Sequence, residues 1–246
     1  MMRIFKSGFN YSQDGPGNRL VIHLQGCNMF CPWCSNPEGM PSITPAGFEG
    51  KCISLEEALE FCLSCRPMFF DGGGVTLTGG EVGVQMDGAK ALLEALRKEN
   101  IHTAIETNAS MPRFNELFPF LNLIIADLKH YDNALHHRYT GIGNEIVIEN
   151  LKLAALQPFQ LWIRIPLING FNAAAHDAEG FVMVLLNILQ AGGRFSVELL
   201  PYHEYGKEKW QQCGLPYKVE NAFVSAEAVQ YFSKVLSNAG INAIST

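Results

Sequence analysis

Charged residues are scarce in this chain of 246 residues: Asp, Glu, Lys and Arg make up 17% of it, and the formal net charge is −6. The chain lacks the excess of lysine and arginine with which proteins neutralise a nucleic-acid backbone, so we expect no nucleic acid among its partners. Hydrophobic residues reach 48%. That fraction argues against a disordered chain and predicts a substantial core.

Long apolar segments and repetitive segments are also missing. The most apolar run, residues 181–189, is too short to cross a bilayer. Residues 1–10 contain no hydrophobic stretch of the kind found in signal peptides. No internal repeat, low-complexity tract or linker divides the chain. These absences predict a cytoplasmic protein without membrane association, folded as a single core domain over residues 1–246.

The seven cysteines are unevenly placed, and three of them, Cys27, Cys31 and Cys34, follow the pattern Cys-x3-Cys-x2-Cys. An odd number of cysteines with a tight group favours metal binding over disulfides in a reducing compartment. Three thiolates can bind three irons of a four-iron cubane and leave the fourth iron open to a small molecule. Two alternatives remain: a zinc site with an open fourth position, or three buried structural cysteines.

Apolar segments alternate with helical patterns along the chain. Strands are predicted at 20–24, 75–78, 102–105, 123–126, 161–165 and 195–200. Helices are predicted from a capping box at Ser54 and at 89–98, 149–156, 181–190 and 226–239. This alternation indicates an α/β fold with a parallel sheet and right-handed crossovers. Six units are too few for a closed eight-stranded barrel, so we expect an open, partial (β/α)6 barrel with a lateral gap.

Polar residues follow the carboxyl ends of these strands. Parallel strands bring their carboxyl ends to one mouth of a β/α barrel, where active sites lie. The residues at these positions are Cys27, Glu81, Asn108, Asp127, Lys129, Arg164 and His203.

Several motifs together resemble a known family. The cysteine pattern with Trp33 before its last cysteine resembles the signature of the radical S-adenosylmethionine (SAM) enzymes. The other motifs resemble the glycyl-radical-enzyme activating enzymes of the pyruvate formate-lyase activating type, over about residues 8 to 240. Those motifs are Asp-Gly-Pro-Gly-Asn-Arg at 14–19, Gly-Gly-Glu at 79–81, Asp-Leu-Lys at 127–129, Trp-Ile-Arg at 162–164 and Leu-Leu-Pro-Tyr-His-Glu-Tyr-Gly-Lys at 199–207.

The resemblance implies a radical SAM fold, a 4Fe-4S cluster and S-adenosylmethionine. A reduced cluster would cleave S-adenosylmethionine to methionine and a 5′-deoxyadenosyl radical, which takes a hydrogen from a backbone glycine of a partner glycyl radical enzyme. The protein positions the cofactors and excludes water. A flavodoxin or ferredoxin would supply the electron in anaerobic metabolism, and we expect a monomer. Only four cysteines remain outside the triad, too few for the ferredoxin-like insert of some relatives.

The resemblance also implies the roles of individual residues. Cys27, Cys31 and Cys34 bind the cluster and serve the redox step. The expected cofactor-binding residues are Trp33, Ser35, Gly79, Gly80, Glu81, Asn108, Asp127, Leu128, Lys129, Arg164 and His203.

The resemblance implies two further roles, and the sequence departs from the family pattern at two positions. Asp14 is expected near the bound glycyl loop of the partner. A monovalent cation is expected at Glu106, Thr107 and Asp127, although the family usually has aspartate where Glu106 stands. Ser35 replaces a histidine of the common activating enzyme.

Simpler interpretations stay open for these residues. The Gly-Gly-Glu segment could be a plain strand-to-helix turn, and Arg164 could form an ion pair inside the barrel. Two other functions also remain: a radical enzyme that acts on a small molecule, and a non-enzymatic iron–sulfur electron carrier.

Overall fold

A computed structural model describes residues 1–40 and 50–244. Its strands form one sheet in the order β3-β1-β2-β4-β5-β6-β7-β8-β9. The strands are β1 (Met2–Tyr11), β2 (Asn18–Leu24), β3 (Lys51–Ile53), β4 (Gly74–Gly79), β5 (His102–Thr107), β6 (Leu123–Asp127), β7 (Gln160–Leu167), β8 (Ser196–Pro201) and β9 (Ala243–Ile244).

Helices connect most neighbouring strands. They are α1 (Leu55–Ser64), α2 (Met86–Lys98), α3 (Asn133–Thr140), α4 (Glu145–Ala155), α5 (Ala175–Gln190), α6 (Lys207–Gln212) and α7 (Ala226–Asn238). None of the helices in the described part of the chain is long and apolar enough to cross a membrane.

The strands from β2 to β9 are parallel to one another, whereas β1 is antiparallel to both β2 and β3. In the described residues the sheet has two edges, β3 and β9, that do not pair with each other. The predicted α/β class and the open, partial barrel are therefore confirmed. All six predicted strands are present as β2, β4, β5, β6, β7 and β8.

The predicted helix at Ser54 begins with the expected capping box. Glu57 donates its backbone N–H to the Ser54 hydroxyl at 3.1 Å, and its carboxylate accepts the Ser54 N–H at 2.7 Å. These two bonds satisfy backbone donors that a helix start leaves free.

Each parallel strand has one face toward the helices and one toward the barrel interior. Leu20, Ile22 and Leu24 of β2 belong to the large core that the helices cover. Inside the barrel, Ala104, Leu123 and Ile125 form a separate buried cluster with Trp162. This alternation follows from the two-residue period of a strand.

The turn between β1 and β2 packs against the starts of the next strands. Arg19 is fully buried there and donates to Thr76 Oγ1 at 2.8 Å and to the carbonyl oxygens of Val75 and Pro16 at 3.0 and 3.2 Å. Burial lowers the pKa of Arg19 to about 10, so the side chain keeps its charge at neutral pH. Arg19 and its partners therefore fill the end of the barrel that lies opposite the strand carboxyl ends.

Candidate active site

One cavity lies at the carboxyl ends of the strands and collects most of the predicted site residues. Those that line it are Cys27, Cys31, Trp33, Cys34, Ser35, Gly79, Gly80, Glu106, Thr107, Asn108, Asp127, Lys129, Arg164 and His203. Asp14, Glu81 and Leu128 do not line it. The carboxyl ends of the parallel strands thus bring together residues that are far apart in sequence.

The loop that carries the cysteines is fixed at both ends. Before the first cysteine, the Gly26 N–H donates to the Gly39 carbonyl at 2.9 Å, and the Gln25 side-chain amide donates to the Glu38 carbonyl at 2.7 Å. In its middle, the Phe30 N–H donates to the carbonyl of Thr140, the last residue of α3, at 2.9 Å. The three thiols are thus presented by an anchored loop.

All seven cysteines are free thiols, and the triad is the group that reaches the cavity. Burial raises the pKa of Cys27 and Cys34 to about 12 and also raises that of Cys31. Backbone N–H groups already point at two sulfurs, from Met29 to Cys27 Sγ and from Asn36 to Cys34 Sγ, both at 3.4 Å. Such N–H···S bonds are a means by which proteins tune iron–sulfur clusters.

The donor set fits a cluster. In residues 1–40 and 50–244, no three His, Cys, Asp or Glu side chains are grouped to hold one metal ion. A four-iron cubane requires a different arrangement of ligands. Each cysteine binds a different iron, so the three sulfurs need not surround one point. Three cysteine thiols around a cavity would supply three such ligands and would leave one iron without a protein ligand.

The Gly79–Gly80 turn must be glycine for steric reasons. Gly79 has φ of 127°, and a Cβ added to Gly80 would lie 1.9 Å from the Gly26 carbonyl oxygen. The turn is held by bonds from Gly80 N–H to the Leu24 carbonyl at 2.9 Å and from Glu81 N–H to the Gly26 carbonyl at 2.7 Å. The backbone of this turn can therefore approach both the cysteine loop and a ligand.

Glu81 is buried behind the cavity. Its carboxylate accepts the N–H groups of Gly83 at 3.0 Å and Asn108 at 2.7 Å, and the Thr107 hydroxyl at 2.8 Å. Burial raises the pKa of Glu81, and these three donors oppose that effect. In this structure the Glu81 side chain ties β5 to the glycine turn, and Leu128 is a core residue.

Lys129 and the half-buried Asp127 form an ion pair in the cavity wall, with 2.6 Å between Nζ and Oδ2. Burial opposes the charged ammonium. Asp127 and the neighbouring Cys31 thiol nevertheless raise the pKa of Lys129 above its ordinary value. A permanent positive charge therefore lies close to the cysteine ligands.

Arg164 lies between two carboxylates, Glu106 at 2.7 Å and Glu198 at 2.6 Å. Its third contact is to the Gln13 carbonyl at 2.8 Å, which belongs to the β1–β2 turn. Burial raises the pKa of Glu106 to about 7, although Arg164 and a 2.9 Å bond from the Thr78 hydroxyl favour its ionised form. Of the two sequence interpretations for Arg164, the ion pair inside the barrel is the arrangement observed here.

His203 lines the cavity, and Tyr205 stacks on its ring with 4.2 Å between ring centroids. The Tyr205 N–H donates to His203 Nδ1 at 3.4 Å, which places the ring proton on Nε2. Burial lowers the pKa of His203, so the neutral ring can donate from Nε2 to a ligand.

Asn108 belongs to a ring of three polar side chains beside the first cysteine. Asn108 donates to Asn28 Oδ1 at 2.9 Å, Asn28 donates to Ser110 Oγ at 2.7 Å, and Ser110 donates back to Asn108 Oδ1 at 2.7 Å. The ring orients the Asn108 amide, whose nitrogen lies 4.0 Å from Cys27 Sγ.

Asp14 lies apart from the cavity, in the β1–β2 turn. Asn10 donates to its carboxylate at 2.5 Å, and the Thr76 hydroxyl donates to its carbonyl at 2.8 Å. Arg164 contacts the residue before it, so the turn and the cavity share one side chain.

Sequence reasoning assigned no site role to several residues found here, among them Glu198, Tyr202, Lys209 and Trp210. Glu198 is a lone carboxylate in an otherwise apolar strand, which is a usable signal because a buried charge needs a partner. Tyr202 lines the cavity and shares a 2.5 Å hydrogen bond with Tyr217. Lys209 and Trp210 contact the cysteine loop from a helix too short and polar to stand out in the sequence.

Comparison with known proteins agrees with this geometry. The model of the radical SAM superfamily matches residues 21–179. The chain is 31% identical to the choline trimethylamine-lyase activating enzyme of Oleidesulfovibrio alaskensis, over 84% of this chain and 85% of that protein. It is 33% identical to the pyruvate formate-lyase-activating enzyme of Staphylococcus epidermidis, over 85% of this chain and 84% of that protein.

Solved structures show the same fold. A domain of the pyruvate formate-lyase-activating enzyme of Bacteroides vulgatus superposes with a TM-score of 0.57 at 26% identity, covering 70% of this chain and 98% of that one. A radical SAM methyltransferase of Sphaerobacter thermophilus gives a TM-score of 0.67 at 17% identity, covering 97% of this chain and 68% of that one.

The family's cofactors, a 4Fe-4S cluster and S-adenosylmethionine, match the donor set and the cavity described above. With these relatives spanning most of its length, the chain belongs to the radical SAM superfamily and, within it, to the glycyl-radical-enzyme activating enzymes.

Proposed function

We propose that this enzyme reductively cleaves S-adenosylmethionine and takes a hydrogen atom from a backbone glycine of a partner glycyl radical enzyme. The observation that carries the proposal is the joint placement of the three thiols, the glycine turn, Lys129 and His203 around one cavity. When bound, the cluster supplies one electron to S-adenosylmethionine.

The chain's own residues would serve this chemistry in distinct ways. Cys27, Cys31 and Cys34 would hold the cluster. The Gly79–Gly80 backbone would approach the ammonium group of S-adenosylmethionine, and His203 would donate from Nε2 to its adenosyl part. The Lys129 ammonium would stabilise negative charge beside the cysteine ligands, since opposite charges attract strongly in a buried site.

The partner side of the site is proposed to involve Asp14 and the barrel opening. Relatives of about 30% identity activate different enzymes by name, among them choline trimethylamine-lyase, (2S)-3-sulfopropanediol dehydratase and pyruvate formate-lyase. We infer that the partner of this chain is likewise a glycyl radical enzyme, with a flavodoxin or ferredoxin as electron donor. A monomeric, cytoplasmic enzyme is part of the same proposal.

The monovalent cation stays a prediction. Glu106 is bonded to Arg164 and Thr78, and the Thr107 hydroxyl donates to Glu81. A cation would therefore have to share these oxygens. Binding of S-adenosylmethionine measured with and without potassium would test this site.

The test of the function begins with anaerobic reconstitution by iron and sulfide. The reduced protein should convert S-adenosylmethionine to 5′-deoxyadenosine, detected by chromatography. Mixed with a glycyl radical enzyme encoded by a neighbouring gene, it should produce a glycine-centred EPR signal on that enzyme.

Three outcomes separate the competing functions. A cluster without 5′-deoxyadenosine would support an electron carrier and contradict the proposal. Cleavage of S-adenosylmethionine without a glycyl radical on any co-expressed candidate partner would favour a small-molecule substrate. Both products together support an activating enzyme.

A further inference from the structure

Helix α6 contacts the loop around the last cluster cysteine. Trp210 donates from Nε1 to the Cys34 carbonyl at 2.9 Å. Lys209 donates from Nζ to the Ser35 carbonyl and to Asn36 Oδ1, both at 2.8 Å. These residues are more than 170 positions apart in sequence, so the contacts exist only in the folded protein.

The Lys209 ammonium has a third acceptor, the Glu38 carboxylate at 3.3 Å. An ammonium has three N–H donors, and here each has an acceptor from the segment that follows Cys34. The Glu38 carbonyl in turn accepts from Gln25, which precedes the first cysteine. Lys209 is therefore bonded to the segment that closes the cysteine loop.

The approach of α6 is close because of Gly206, the residue before the helix. A Cβ at this position would lie 2.3 Å from the Cys34 carbonyl oxygen and 2.9 Å from Ser35 Cα. Trp210 is only 4% exposed, and its ring meets that of Phe30 edge-on at 6.0 Å. Packing and hydrogen bonds thus act on the same short segment.

These contacts bear on the sulfur of Cys34 itself. The backbone N–H of Asn36 points at Cys34 Sγ at 3.4 Å, and the side chain of the same Asn36 is held by Lys209. Hydrogen bonds to the ligand sulfurs and nearby charge set the potential of an iron–sulfur cluster. Residues that orient metal ligands also control metal affinity.

We propose that Lys209 and Trp210 are positioning residues for the cluster: they hold the Cys34–Asn36 backbone and thereby set how tightly the cluster is retained and at what potential it is reduced. The proposal rests on the function proposed above only in that it requires the cluster to be present. It assigns neither residue a contact with substrate.

The test compares three variants of the reconstituted protein. Lys209→Met removes the three N–H donors and the charge, and Trp210→Phe removes the bond to Cys34 but keeps an aromatic ring. Lys207→Met is the matched control, because Lys207 lies on the same helix and pairs with Glu204 at the surface. The measurements are iron loss to a chelator and the midpoint potential from an EPR-monitored redox titration.

Lys209→Met should lose iron roughly tenfold faster than the wild type, the lower end of the loss in metal affinity seen for residues that support ligands, and its midpoint potential should fall. Trp210→Phe should lose iron faster with a smaller change in potential. Lys207→Met should match the wild type in both. Equal behaviour of all three variants would overturn the proposal.

A control on folding keeps the result clear. Urea unfolding of the cluster-free proteins shows whether a variant is merely less stable. Lower stability with unchanged potential and iron-loss rate would mark an ordinary structural role and contradict the proposal. Failure of the wild type to form 5′-deoxyadenosine would instead count against the proposed function, since iron retention is measured independently of turnover.

Discussion

At the scale of single residues, the cysteines are distinguished by their placement. Burial raises the pKa of Cys62 to about 12, the same value as for Cys27 and Cys34, so the pKa does not separate structural thiols from cluster ligands. Cys62 is a residue of α1 that is buried in the core, whereas the triad lines the cavity. A buried thiol can bind a cluster only where it reaches a cavity that the other ligands also line.

Cys31→Ala should therefore abolish cluster assembly, and Cys62→Ala and Cys65→Ala should leave it intact. The reason is that loss of one thiol leaves a cubane with only two protein ligands, whereas the thiols of Cys62 and Cys65 contribute no ligand. Iron and sulfide content per chain after reconstitution decides the matter. Retention of a full cubane by Cys31→Ala, or iron loss in the other two variants, would show that the cysteines are wrongly assigned.

Gly80→Ala should weaken binding of S-adenosylmethionine about ten- to a hundredfold, because an overlap that costs about 1–3 kcal/mol is relieved by moving the turn away from its ligand-binding position. The added Cβ would meet the Gly26 carbonyl oxygen at 1.9 Å. Titration of the cluster's EPR signal with S-adenosylmethionine measures the effect. Gly8→Ala is the control, since a Cβ there meets nothing within 4 Å. Equal affinities of the two variants would contradict the steric argument.

At the scale of elements, the strands and helices that sequence patterns predicted are those with strong local signals. The six parallel core strands are apolar runs, and α1 begins at a capping box. The elements that were not predicted are short, polar or exposed: β1, β3, β9, α3 and α6. Most residues of β1 are exposed, so no alternation marks it. Strand β1 is recognisable only in the folded protein, where it pairs with β2.

Ser54→Ala should destabilise the protein by about 1 kcal/mol, the usual effect of losing an N-cap side chain. For a chain of this size that corresponds to a melting temperature lower by about 2–4 °C. Thermal unfolding of the cluster-free protein measures it. Ser64→Ala, at the other end of α1, should change stability by less than about 0.5 kcal/mol. If Ser64→Ala destabilised the protein as much, capping would not be the cause.

At the scale of the whole molecule, buried charges join distant strands. Arg19 connects the β1–β2 turn with β4 and β5, and Arg164 connects that turn with β5 and β8. Both arginines lie inside the barrel, Arg164 at the cavity by the strand carboxyl ends and Arg19 near the opposite end. Because a buried guanidinium needs several acceptors, each one specifies how the strands are arranged around it.

Acid should destabilise the cluster-free protein between about pH 6.5 and pH 4. Burial, followed by Arg19 and Arg97, lowers the pKa of His102 to about 4, so the unfolded chain binds the proton first and stability falls as the pH decreases through this window. His102→Gln, which cannot take up a proton, should lose roughly 1–2 kcal/mol less over the window. Urea unfolding at a series of pH values measures the difference.

The exposed His137 provides the control for that experiment. His137→Gln should keep the pH dependence of the wild type. An unchanged dependence in His102→Gln would show that other groups, such as His23 with its pKa also lowered to about 4 by burial, dominate the acid response.

The sequence by itself determined the group of three cysteines that we propose as cluster ligands, the alternation of strands and helices, and the residues at the strand carboxyl ends. These features are local: a cysteine spacing, a hydrophobic period and a strand end are each read within a few residues. Parallel topology then brings the strand ends together, so most of the cavity could be predicted without coordinates.

Only the tertiary structure decided what those residues contact. It placed Arg164 between Glu106 and Glu198, set Glu81 behind the cavity, and brought Lys209 and Trp210 onto the loop of Cys34. Such contacts join residues tens to hundreds of positions apart, and side-chain reach and packing select them from many acceptors. No local pattern encodes that selection, because it depends on where every other strand and helix lies.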